Sequence, residues 1–194
     1  MTARPELAPE QRMTVEEFLA FANTRPAEER WELIEGVPIL NPSPSDFHQI
    51  VTTNIVAFLV RMKIEMKALW FPLIGMGTRV PASAHSLPQP DVMVKEHAVM
   101  GSPVSEDALA LFEVLSRSNT RADQAWRRRV YASVPNCQHY VTVSLRGVEV
   151  SAYDRESNWR ERSLTSLDHA LDLPALGVAI PLADIYRWTP LGPS

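Results

Sequence analysis

Between Pro90 and Tyr131, two short apolar runs each carry a carboxylate in or beside their apolar core, and that pairing constrains the chain more than any other feature. The runs are Pro90-Asp91-Val92-Met93-Val94 and Leu109-Ala110-Leu111-Phe112-Glu113-Val114-Leu115-Ser116. Both are short, apolar and bounded by turn-forming residues, the pattern of buried strands. An ionised carboxylate in such a core costs on the order of several kcal/mol unless it is paired, hydrogen-bonded or bound to a metal. Asp91 and Glu113 on two strands could therefore share one cation; the plainer alternative is two strand-end acids that face solvent or local arginines. The segment that follows takes Ser118 or Asn119 as a helix cap and places Asp123, Arg127 and Tyr131 at i, i+4 and i+8 of one helical face. That face can look back at the strand before it. The proposed unit is Asp91 and Glu113 holding a hard divalent metal through oxygen, with Arg127 supplying positive charge to an anionic substrate. Asp123 and Arg127 are equally an ordinary acid-before-base helical pair.

The rest of the chain reads as alternating short strands and two main helices. Residues 1–12 read as a flexible arm and 13–194 as one domain, a size compatible with a single core. Thr14-Val15-Glu16-Glu17 fits a capping box that opens a short helix. Trp31-Glu32-Leu33-Ile34 turns at Glu35-Gly36 into Val37–Leu40, a hairpin with Glu32 on a face of its own. Ser45 or Asp46 caps a long helix to about residue 68, whose apolar stripe includes Ile50, Val51, Ile55, Phe58 and Leu59. Strands are expected over 69–73 and 76–80, then a Pro/Ser-rich mobile loop over 81–90 at the site. After the helix that ends near Ser133, strands over 138–145, 148–153 and 159–164 form a meander. The apolar run 173–180 is broken by Pro174 and Gly177, and 182–188 suits a last short helix.

Composition excludes several classes. A net charge of −4 argues against broad electrostatic binding of nucleic acid, though not against a local basic patch. The single cysteine, Cys137, leaves no internal disulfide and no thiolate zinc site, which fits the cytoplasm. The N-terminal residues lack a signal-peptide pattern, and no apolar run approaches the ~18 residues of a membrane helix. His97, His139 and His169 show no metal-ligand spacing, and Trp126 sits at core spacing from Ala122 and Val130.

Trp31-Glu32-Leu33-Ile34-Glu35-Gly36, His48 opening a long helix, Pro90-Asp91, Glu113-Val114-Leu115-Ser116, and then Asp123, Arg127 and Tyr131 form an ordered series that resembles the PD-(D/E)xK nuclease superfamily. Within it, the series resembles the Uma-type family of putative restriction endonucleases. Two departures stand out. The superfamily's basic residue, two positions after the acid, is Leu115 here, and the residue matching the family's relocated lysine is Arg127. Arginine can grip phosphate but cannot serve as a general base. The resemblance implies an α/β fold of restriction-endonuclease type, a central mixed sheet with the long helix on one side and the 118–133 helix on the other. It implies hydrolysis of DNA phosphodiester bonds with Mg2+ or Mn2+ on Asp91 and Glu113, Glu32 assisting, and Arg127 stabilising charge on phosphate. His48 and Asp123 would join Arg127 in lining the substrate site. DNA is the expected partner, a homodimer would place one site on each strand, and no organic cofactor is expected. The rival reading is a catalytically silent nucleic-acid-binding or interaction module on the same fold, and a weaker one is a hydrolase of another phosphoester.

Overall fold

The computed structural model describes residues 11–96, 101–116 and 119–193. Most of the arm expected over 1–12, His97 and Ser118 lie outside them. Just after the arm, the Met13 N–H donates to the Gly36 carbonyl at 3.1 Å.

The chain runs through α1 (Val15–Ala22), the hairpin β1 (Arg30–Ile34) and β2 (Val37–Asn41), the long helix α2 (Asp46–Met66), and strands β3 (Trp70–Ile74), β4 (Gly77–Thr78), β5 (Val92–Glu96), β6 (Val104–Ser105) and β7 (Ala110–Leu115). Helix α3 (Arg121–Ala132), strands β8 (His139–Ser144), β9 (Val150–Asp154), β10 (Glu161–Leu164), β11 (Ala170–Leu173) and β12 (Val178–Pro181), and a short α4 (Leu182–Ile185) follow. Two expected caps form, Thr14 in a reciprocal capping box with Glu17 and Ser45 on α2, whereas α3 opens on a capping box between Thr120 and Asp123. The α3 cap is thus Thr120; Asn119 instead accepts from the Ser116 N–H at 2.7 Å and holds the end of β7.

Six strands form the central mixed sheet in the order β10-β9-β8-β7-β5-β3, with only β7 and β8 parallel. Its two faces are chemically distinct because strand side chains alternate. Val92, Val94, Phe112, Val141, Val143 and Val150 pack beneath α2, β11, β12 and α4. Met93, Leu111 and Tyr140 pack on the other face with Trp126, Val130 and Tyr131 of α3. The long helix and α3 therefore cover opposite faces, and this mixed α/β sandwich is the expected architecture. Among the described residues no helix is long and apolar enough to cross a membrane.

Two local expectations need correction. The strand expected over 76–80 shrinks to β4, which pairs with β6 in parallel and stands outside the central sheet. The 81–90 stretch is not a loose loop: Leu87 is buried, exchanges backbone hydrogen bonds with Leu33 at 2.7 and 3.4 Å, and so ties the hairpin to the start of β5. The break expected at Pro174 and Gly177 does form, as the turn of the β11–β12 hairpin, with Gly177 at φ +68° where a side chain would be strained.

Candidate functional site

The site is built where β5 begins and β7 ends. Val92 pairs with Phe112 and Met93 with Leu111, so continuing the antiparallel register by one residue sets Asp91 opposite Glu113. Both therefore project on the α3 side, as Met93 and Leu111 do, and directly opposed side chains have Cβ atoms about 5 Å apart. Asp91 is 8 % exposed and Glu113 6 %. The Asp91 carboxylate is oriented by the chain itself, since Oδ2 accepts the Val114 N–H at 2.8 Å.

Arg127 rises from the middle of α3 into the space between acids from two other elements. Its Nη1 donates to Glu113 Oε1 at 2.8 Å and its Nη2 to Glu32 Oε2 at 2.7 Å. The Tyr131 hydroxyl, one turn further along, donates to the same Glu113 oxygen at 2.8 Å. Glu32 is brought in by strand alternation: Leu33 faces Leu87 and α1, whereas Ile34, two residues from Glu32, joins the α3-side core. Bidentate use of one guanidinium across two carboxylates suits arginine, whose donors form a fixed planar fork.

His48, in the first turn of α2, places Nε2 3.3 Å from Asp91 Oδ2, and Arg30 approaches Asp91 Oδ1 at 3.7 Å. With residues 41–45 at and after the end of β2, Gln89 and Arg146, these groups line a cleft of about 720 Å³ that opens onto Asp91, Glu113, Glu32 and Arg127. Five of the six expected site residues thus meet. The sixth, Asp123, accepts from the Thr120 N–H and hydroxyl at 3.1 and 2.6 Å, a helix-capping role. Arg30 was missed by sequence reasoning, although period-two alternation from Glu32 through the hairpin puts it on the same face.

Burial dominates the electrostatics. It pushes the Glu113 carboxyl up to about 8, with the negative charges of Asp91 and Glu32 adding to the rise and Arg127 and the Tyr131 hydroxyl opposing it. Tyr131 is raised well above the ordinary phenol range, first by burial and then by Glu113. Arg127 is held protonated by its two carboxylates despite its burial.

Among the described residues no group of three or more His, Cys, Asp or Glu side chains is disposed to hold a metal ion. Arg127 engages Glu32 and Glu113 alike, so a metal on the cross-strand pair Asp91 and Glu113 would share Glu113 with the guanidinium. Such a set fits Mg2+, which binds through one or two carboxylates and keeps several waters or substrate phosphate oxygens.

The comparisons bear on this geometry. A family model described as "Uma2: Putative restriction endonuclease" matches residues 15–183. Among solved structures, the chain is similar to a putative nuclease belonging to DUF820 from Anabaena variabilis, at 15 % identity and a TM-score of 0.73, over 91 % of this chain and 98 % of that one. At that identity the likeness speaks for the fold. The comparison with curated proteins gave no match.

Proposed function

The chain belongs to the Uma2 family of putative restriction endonucleases, and from that premise we propose that it is a divalent-metal-dependent endonuclease that hydrolyses phosphodiester bonds in DNA. The observation that carries this reading is the cross-strand pair Asp91 and Glu113 on the floor of an open cleft, with the Arg127 guanidinium beside it. Asp91 and Glu113 would hold Mg2+ or Mn2+, which when bound polarises a phosphoryl oxygen and lowers the pKa of bound water. The Val114 N–H and His48 keep the Asp91 carboxylate in place. Glu32 and Tyr131 fix the planar guanidinium, which stays protonated and so acts on phosphate as a charge and a donor, never as a base. His48 and Arg30 add donors on the cleft wall. A two-fold dimer would present one such site to each strand of a duplex. The buried thiol of Cys137 suits a reducing cytoplasm.

One observation favours a second reading. Arg127 already neutralises Glu32 and Glu113, the task a metal would share, as in a silent nucleic-acid-binding module that keeps the fold. Cleavage of plasmid and single-stranded DNA with Mg2+ or Mn2+ separates the two, using wild type, Asp91→Ala, Glu113→Ala and Arg127→Lys. The nuclease reading predicts cutting by wild type and none by either acid variant. Silence of all four proteins on both substrates, with the fold intact, overturns the nuclease reading.

A further inference from the structure

The sheet face that carries Glu113 continues well past the acid cleft. Its register sets Glu113 beside Thr142, Thr142 beside Ser151, and Ser151 beside Ser163. A row of small hydroxyls therefore crosses β8, β9 and β10, and at about 4.8 Å per strand it extends roughly 14 Å from the acid. The alternate residues of these strands, Val141, Val143, Val150 and Ala152, lie in the α2-side core. The polar row is thus a property of one face only.

Helix α3 borders this part of the sheet through Arg121, Gln124, Ala125 and Arg128. What lies beside it is a trough of about 730 Å³, floored by Thr142, Ser144 and Ser151 and edged by Arg121, Arg128 and Arg146. Leu115, Ser116, Asn119 and Arg146 line both the trough and the acid cleft, so the two adjoin at the end of β7. Among the described residues no ion pair engages Arg121 or Arg128; the Arg128 guanidinium instead stacks 5.1 Å over the Tyr153 ring. Cations beside a hydroxyl floor suit a chain of repeated anionic acceptors. The opposite wall carries Glu149 and Glu161, the latter accepting the Ser151 hydroxyl at 2.7 Å. Their charge would keep such a polyanion on the α3 side.

We propose that this trough carries the DNA strand that runs on from the acid cleft, with Arg146, Arg121 and Arg128 meeting its phosphates and the Thr142 and Ser144 hydroxyls donating to them. The proposal rests on the nuclease reading for its substrate, but its test is independent of cleavage.

The test is fluorescence anisotropy with a labelled single-stranded oligodeoxynucleotide in EDTA, across a salt series. It compares wild type, the triple variant Arg121→Ala/Arg128→Ala/Arg146→Ala, Glu149→Gln, and Arg61→Ala on α2 as a charge control, with melting temperatures measured in parallel. The triple variant should lose about tenfold or more in affinity and reduce the salt slope by about 2, since each phosphate contact on single strands contributes about 0.7. Glu149→Gln should bind more tightly than wild type. A triple variant that binds like Arg61→Ala, with the same slope, overturns the trough and leaves the nuclease reading to its cleavage assay. Trough-dependent binding without cleavage by wild type supports the trough and overturns the nuclease reading. Failure of wild type to bind at low salt overturns the trough outright.

Discussion

Replacing Arg127 with methionine should destabilise the protein by an amount that grows with pH. The guanidinium lies 2.7 Å from Glu32 and 2.8 Å from Glu113, with side-chain exposures of 13 % for the arginine and 5 % and 8 % for the acids. Removing one partner of so buried a pair strands the other charges and costs about 3–5 kcal/mol, a large share of a typical ~5–15 kcal/mol total. Protonation limits that cost. Arg127 is the strongest influence holding the Glu113 carboxyl down against burial, so without it the folded-state value climbs above about 8. A carboxyl raised from 4.5 in this way contributes stability that is fully present below pH 4.5 and is lost as pH rises through about 8. The variant takes up that proton and suffers least in acid. Urea unfolding followed by tryptophan fluorescence should show a loss near ~3–5 kcal/mol at about pH 8.5 and a clearly smaller one at about pH 5. Arg127→Lys keeps the charge but cannot fork to both acids, and should cost only about 1–2 kcal/mol. A loss for Arg127→Met below about 1 kcal/mol at both pH values, or equal at both, refutes the reasoning.

Other consequences are more local. Tyr131→Phe removes a buried donor from Glu113 and should cost about 1.5–3 kcal/mol while raising the Glu113 value further, readable by urea unfolding and by carboxyl NMR titration. Asn54→Ala on α2 orphans the Ile185 and Arg187 carbonyls, to which its amide donates at 3.1 and 2.8 Å, and should lower stability by about 1–3 kcal/mol in thermal melts. Gly36→Ala meets both a φ of +84° and Arg12 Cβ at 2.5 Å; proteolysis near residue 12 should quicken as that contact is pushed off.

What the sequence made legible followed period and capping. The runs around Asp91 and Glu113 are continuous in apolar character because both faces of β5 and β7 are covered, one by α2 and the other by α3. Their shared site could be read from two acids that such strands would otherwise exclude. Thr14 and Thr120 announce their helices through residues three positions on, although an earlier cap was expected for α3. Long-range pairing was not legible. Arg127 and Asp123 have the spacing of a helical pair, but the guanidinium reaches Glu32, 95 residues away, because that contact depends on where the hairpin docks. The 81–90 stretch looked loose by composition, whereas one apolar residue, Leu87, anchors it to β1. Pro174 and Gly177 are breakers in any local reading, and only the pairing of Ala170 with Pro181 shows that they turn a hairpin.

The most direct test of the account is a Mn2+ titration of the folded wild-type protein, with free ion followed by electron paramagnetic resonance at about pH 6 and pH 8. Binding through Asp91 and Glu113 requires the Glu113 proton to leave, so affinity should rise about tenfold per unit toward the value near 8 and disappear in Asp91→Asn. The account is contradicted if folded wild type binds no Mn2+ at about pH 8, or if Asp91→Asn and Glu113→Gln bind it as well as wild type does.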